Sequence, residues 1–171
     1  MDDSLFSRSL LLIFLLLCSA FFSACEVAYF SLNSLQLNEM AEKKGRMGRI
    51  VNSLLEKPRE LLITIYIGNE FVNIAVSVVV TSIAINIFGS LGVGVAIGIG
   101  TLLLLVFGDI IPKSISIKFA QPYALFSAYP LKAFAKLVQP AQKLFSVWTE
   151  RIISSMGVLP HGLKESPITD E

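Results

Sequence analysis

Three long apolar runs divide this chain, and each carries polar residues inside it. Residues 5–32 read LFSRSLLLIFLLLCSAFFSACEVAYFSL, residues 61–88 LLITIYIGNEFVNIAVSVVVTSIAINIF, and residues 91–111 LGVGVAIGIGTLLLLVFGDII. At about 1.5 Å rise per residue, each is long enough to cross a hydrocarbon core of roughly 30 Å. The pattern predicts three transmembrane helices.

Elsewhere the period changes. Over 33–60, Leu35, Leu37, Met40, Ile50, Val51, Leu54 and Leu55 recur at helical spacing, which predicts amphipathic helices broken around Gly45 and Gly48. Over 119–158, Leu131, Phe134, Leu137, Val138, Ala141, Leu144, Phe145, Trp148 and Ile152 stand opposite Lys132, Lys136, Lys143 and Arg151. Pro122, Pro130 and Pro140 are expected to cut this stretch into pieces lying in the membrane interface, with Trp148 near the headgroups. Residues 159–171 are polar, contain Pro160 and Pro167, and read as a linker. The expected fold is therefore an all-α integral membrane domain over 1–158, three spans with juxtamembrane belt helices at 33–60 and 119–158.

Composition agrees. The chain is 54% hydrophobic and 16% charged, against about 45–50% and 25% for a soluble domain. A net charge of +1, with no run of basic residues interleaved with aromatics, gives no reason to expect a nucleic-acid partner. Cys18 and Cys25 lie two turns apart on one helix, too far to bridge each other, and read as small core residues. The N-terminal run imitates a signal peptide, but it continues past Cys25 through Tyr29 and Phe30, so a retained helix is expected.

Charge also sets orientation. Lys43, Lys44, Arg46, Arg49, Lys57 and Arg59 crowd 33–60, whereas 86–92 carries no charge. The positive-inside rule puts the N-terminus outside, 33–60 in the cytoplasm, and the end of the third span inside with Lys113 and Lys118. Gly92, Gly94, Gly98 and Gly100 form small-xxx-small faces on that span, suited to close helix approach within or between protomers.

The polar residues of the spans share a depth. Ser19 and Ser23 lie four apart on one face of the first helix, as do Asn69 and Asn73 on the second. Ser23 and Asn69 each fall roughly 12–13 Å from the cytoplasmic end of their run, and Asp109 lies in the same half. Pro112 has no N–H, which deprives the Gly108 carbonyl of its helical donor. A carbonyl, two hydroxyls, an amide and one carboxylate make an all-oxygen set, suited to Mg2+ or Na+ rather than zinc or copper. Simpler roles stay open for each residue alone: serine bonds to the preceding turn, an interhelix asparagine bond, an Asp109–Lys113 ion pair. Glu26, one turn below Ser23, is expected to pair with Lys113. Glu70 lies off the Asn69 face and lines an entry, snorkels or is protonated.

Three segments resemble motifs of the CNNM/CorC magnesium transporter family: FFSACEVAYFSLN, IGNEFVNIAVSVVVT and FGDIIPKSI, in the family's order and together reaching residue 120. The resemblance implies three transmembrane helices, a cytoplasmic helical belt and a homodimer in a bacterial inner membrane. It also implies cytoplasmic CBS domains entered through the SPITDE tail, and export of Mg2+ coupled to Na+. The family's ion site carries over to Ser19, Ser23, Asn69, Gly108 and Asp109, with Glu26, Glu70, Asn73 and Lys113 along the pathway or around the site. Three departures stand out: Ala24 replaces the usual glycine, Glu70 is an unusual acid after the asparagine, and Asp109 replaces glutamate. The rival readings are a membrane anchor or regulatory module for the CBS domains, and a divalent-cation channel. An intramembrane hydrolase acting through Ser23 lacks a histidine in the spans and a GxSxG elbow.

Overall fold

The computed structural model describes residues 3–155, with side chains over 5–140. The expectations for Trp148, the 159–171 linker and the SPITDE tail lie outside these. Every regular element among the described residues is helical: α1 (Asp3–Phe30), α2 (Ser34–Lys43), α3 (Gly45–Leu55), α4 (Pro58–Phe88), a 3-10 turn (Gly89–Leu91), α5 (Gly92–Leu103), a π-helical segment (Leu104–Ile110), α6 (Ile111–Lys118) and α7 (Ala120–Ser155). The chain forms two compact units, residues 1–138 and 139–171. The account below concerns the first.

Two continuous helical stretches, Leu5–Phe30 and Pro58–Lys118, are long and apolar enough to cross a membrane. The second folds back on itself. A Cβ on Gly92 would fall 2.5 Å from the Ala84 carbonyl oxygen, and one on Gly100 would fall 3.2 Å from Val80 Cγ1. Residues eight apart in a straight helix are separated by about 12 Å, so α5 must run antiparallel to α4. Gly89, at φ +61, is the residue that makes the reversal possible. The three apolar runs thus form α1, α4 and the composite helix from α5 to α6.

The belt differs from expectation in two details. Gly45, at φ +58, ends α2 in the left-handed conformation that side chains resist, so the break lies there alone. Gly48 is not a break: it sits inside α3, and a Cβ there would overlap the Met40 carbonyl, so the two backbones touch. Asn33 caps α2 by accepting from the Gln36 amide at 2.8 Å, while the Gln36 side chain accepts from the Asn33 amide at 3.1 Å.

A second correction concerns the prolines. Pro122, Pro130 and Pro140 all lie within α7 rather than dividing it. Pro122 falls in the first turn, where no donor is needed. Pro130 removes the donor to the Phe126 carbonyl, and Phe126 is 72% exposed. The backbone nonetheless stays helical across it.

Two apolar clusters hold the unit together. One joins Phe22, Cys25, Ala28 and Tyr29 of α1 to Met40, Ile50, Val51, Leu61 and Ile65, with Ala124, Ala128 and Leu131 of α7. The other gathers Val76, Val80 and Ala84 of α4 with Ala96 of α5, against Leu12, Leu15 and Leu16. On α1 the gap between them falls at Ser19; on α4 it falls at Asn69 and Asn73. Ser19, Asn69 and Asn73 lie in that gap, and Ser23 just inside the first cluster. Three hydroxyls fix the lower half of α1 to its neighbours: Ser116 Oγ donates to the Ala24 carbonyl at 2.6 Å, Tyr123 OH to the Phe21 carbonyl at 3.3 Å, and Tyr29 OH to the Ala124 carbonyl at 3.1 Å.

Candidate functional site: a polar cleft between the spanning helices

Successive turns of α1 each present a polar side chain to a partner on another helix. Ser19 is buried, and its Oγ donates to Asn73 Oδ1 at 2.7 Å, with Asn69 Oδ1 at 3.4 Å. One hydroxyl proton serves one acceptor well, and the shorter distance makes Asn73 the partner. Both amide oxygens nevertheless converge on the same serine. One turn further, buried Ser23 donates to Asp109 Oδ1 at 3.0 Å. Below it, Glu26 Oε2 pairs with Lys113 Nζ at 3.1 Å and Oε1 accepts from Tyr66 OH at 3.1 Å.

The third span contributes through its irregularity. Across Leu104–Ile110 the helix widens to π geometry, and the Ile111 amide bonds to the Val106 carbonyl five residues back. In an α-helix that amide would serve Phe107, and residue 112 would serve Gly108. The Phe107 carbonyl loses its α-helical donor to that shift, and the Gly108 carbonyl loses its own because residue 112 is proline. Insertions of this kind recur at functional sites, since they turn backbone oxygens and adjacent side chains out of register. Gly108 is also held tightly: a Cβ there would lie 2.8 Å from Ser19 Oγ. The Gly108 backbone, Ser19 and both asparagines therefore meet at one level.

These residues line a cleft of about 420 Å³, which Glu70, Thr101 and Leu104 help to close. Its charged groups include two carboxylates around one ammonium. Lys113 Nζ stands 3.0 Å from Asp109 Oδ1 as well as 3.1 Å from Glu26, and the three side chains are 34%, 43% and 22% exposed respectively. Among the described residues no group of three or more His, Cys, Asp or Glu side chains comes together. The neutral oxygen-bearing residues of the lining are Ser19, Ser23, Tyr66, Asn69, Asn73 and Thr101.

The structure brings together Ser19, Ser23, Asn69, Asn73, Gly108 and Asp109, and it places Glu26 and Lys113 just below them. Glu70 is exposed and borders both this cleft and a groove on the outer side of α4 lined by Asn73, Ser77 and Thr81. Tyr66 and Thr101 were not singled out by the sequence. Tyr66 had a signal, lying three residues before Asn69 and seven before Asn73 on one helical face.

The profile of the Cyclin M transmembrane N-terminal domain, the CNNM family, matches residues 10–171. The chain belongs to the CNNM family. Its domain is 34% identical over 149 residues to a UPF0053 protein of Haemophilus influenzae, covering 87% of this chain and 36% of that protein. It is 33% identical over 140 residues to the UPF0053 inner membrane protein YfjD of Escherichia coli, covering 82% and 33%. It is 32% identical over 164 residues to a chloroplastic DUF21 domain-containing protein of Arabidopsis thaliana, covering 96% and 25%. The chain thus spans a quarter to about a third of the length of these relatives. The CNNM domain found here is an all-α membrane domain.

Proposed function

We propose that this domain carries Mg2+ out of the cytoplasm, coupled to Na+, through a cation site in the cleft between α1, α4 and the π-helical segment. The observation that carries the reading is the convergence of oxygens from three helices on one cleft, over two successive turns of α1. Ser19 and Ser23 supply hydroxyls, Asn69 and Asn73 amide oxygens, Gly108 a carbonyl without its α-helical donor, and Asp109 a carboxylate. Hard divalent cations take such ligands. The cleft lies within the roughly 300–1,000 Å³ range of small-ligand pockets and far exceeds a bare ion, so in this conformation a cation enters with part of its water. Closing around it would replace that water by the oxygens above.

On this reading the domain works as a homodimer in a bacterial inner membrane, N-terminus outside, with CBS domains following in the full-length protein. The charge difference between 33–60 and 86–92 supports the orientation, and the greater length of the relatives leaves room for further domains.

One observation favours a second reading. Lys113 pairs with both Asp109 and Glu26 in this conformation, as expected if Asp109 serves only structure and the domain anchors regulatory modules. Two measurements separate the readings: thermal unfolding with and without millimolar Mg2+, and Mg2+ efflux from proteoliposomes. The transporter predicts stabilisation and flux that both fall in Asp109→Asn. No stabilisation and no flux would leave the anchor.

A further inference from the structure

A second cavity, of about 570 Å³, opens between α3 and α7, away from the polar cleft. Arg46 and Arg49 reach it from α3, and Tyr129, Lys132 and Lys136 from α7. The spacings of three on one helix and three and four on the other put each set on one face. Four cations therefore line one concavity, and no carboxylate lines it with them. The ion pairs described elsewhere belong to Lys43, Lys57 and Lys113; none involves these four. Like charges gathered at low ionic strength repel one another, and a protein commonly offsets this with Asp or Glu.

The surroundings indicate where the missing anion comes from. Met47 beside Arg46, Phe126 one turn before Tyr129, and Leu137 beside Lys136 are 45%, 72% and 74% exposed. Tyr129 is itself 44% exposed, an amphipathic ring of the kind enriched where hydrocarbon meets headgroups. Exposed apolar side chains next to an uncompensated basic cavity, on helices attached to membrane spans, fit the phosphate level of a bilayer. The contact of Gly48 with the Met40 carbonyl holds α3 against α2.

We propose that this cavity binds the phosphate ester of an anionic phospholipid headgroup from the adjoining leaflet. The arginines offer planar paired donors to the phosphate oxygens and the lysines act as point charges. Basic pockets beside membrane helices hold anionic headgroups in this way. A lipid seated there bridges α3 and α7, so leaflet composition would govern how firmly the belt is held.

The chain is placed in phosphatidylcholine nanodiscs, with and without a fraction of phosphatidylglycerol, and thermal unfolding is followed. Phosphatidylglycerol should raise the midpoint for wild type and for a Lys44→Gln/Lys118→Gln control, which removes two charges outside the cavity. Arg46→Gln/Arg49→Gln and Lys132→Gln/Lys136→Gln should each lose most of the gain. A basic residue near an anionic surface contributes about 1 kcal/mol, roughly fivefold, so either pair should weaken lipid binding about 25-fold. In pure phosphatidylcholine both pairs should unfold no earlier than wild type, because removing like charges relieves repulsion. An equal gain in all proteins would overturn the proposal in favour of diffuse surface charge. A gain from soluble glycerol phosphate in pure phosphatidylcholine, equal to that from phosphatidylglycerol, would overturn the lipid as source. Photoactivatable phosphatidylglycerol on wild type gives a test without substitutions: cross-linking at the peptide carrying Tyr129 supports the site, and cross-linking only elsewhere overturns it.

Discussion

Lys113 Nζ lies 3.0 Å from Asp109 Oδ1, the same oxygen that accepts from Ser23. An ion using Asp109 as a ligand must displace or share that ammonium. Lys113→Met removes a tethered competitor, so Mg2+ affinity should rise roughly fivefold, the equivalent of about 1 kcal/mol for a partly exposed pair. Calorimetric titration measures it. Unchanged affinity with a lower unfolding temperature would make the pair purely structural.

Asp109 carries the charge in the proposed ligand set. Asp109→Asn keeps volume and one oxygen but removes the charge, so Mg2+ affinity should fall at least about tenfold, or about 1.4 kcal/mol. Asp109→Glu should be milder. Equal affinity in wild type and Asp109→Asn would remove Asp109 from the site.

The two asparagines should separate by experiment. Asn73 accepts the shorter bond from buried Ser19, so Asn73→Ala should cost about 1 kcal/mol of stability even without cation. Asn69, at 3.4 Å, gives little there. Asn69→Ala should leave the cation-free unfolding temperature nearly unchanged and abolish the gain from millimolar Mg2+. If that gain persists, Asn69 is packing.

Glycines on α5 differ in the same testable way. Nothing lies within 4 Å of a Cβ on Gly98, whereas one on Gly92 meets the α4 backbone. Gly98→Leu should therefore spare the protomer but weaken self-association in detergent, read by cross-linking. Gly92→Ala should lower the unfolding temperature. An unchanged dimer in Gly98→Leu would move the interface elsewhere.

Topology has its own check. Cysteines at Lys44 and Ser90 should label from opposite sides of the membrane, and labelling from one side would contradict the three-span arrangement.

Much of this was legible in the sequence. Apolar runs of membrane length and four-residue spacing of the serines and asparagines pointed to the long helices and to most of the cleft's lining, because each depends on run length or helical period alone. The Glu26–Lys113 pair was legible through the depth of each residue on its helix. The rest depends on tertiary context. Nothing in LLVFGDI announces a π-helical segment except the proline after it. The prolines of α7 look like breaks, yet the helix runs on through all three. Arg46 and Arg49 read as loop charge, since their convergence with Lys132 and Lys136 follows from how α3 packs on α7.

The hydroxyl of Tyr123 ends on the Phe21 carbonyl, between the two serines of α1, and Ser116 ends on the next turn at Ala24. Both donors come from the C-terminal side of the chain, one of them from the opening turn of α7. Leverage follows. A twist of those first turns is delivered to the backbone between Ser19 and Ser23, whereas Leu12, Leu15 and Leu16 nearer the N-terminus of α1 join the other apolar cluster. Tyr123→Phe would cut that linkage while keeping the ring in place.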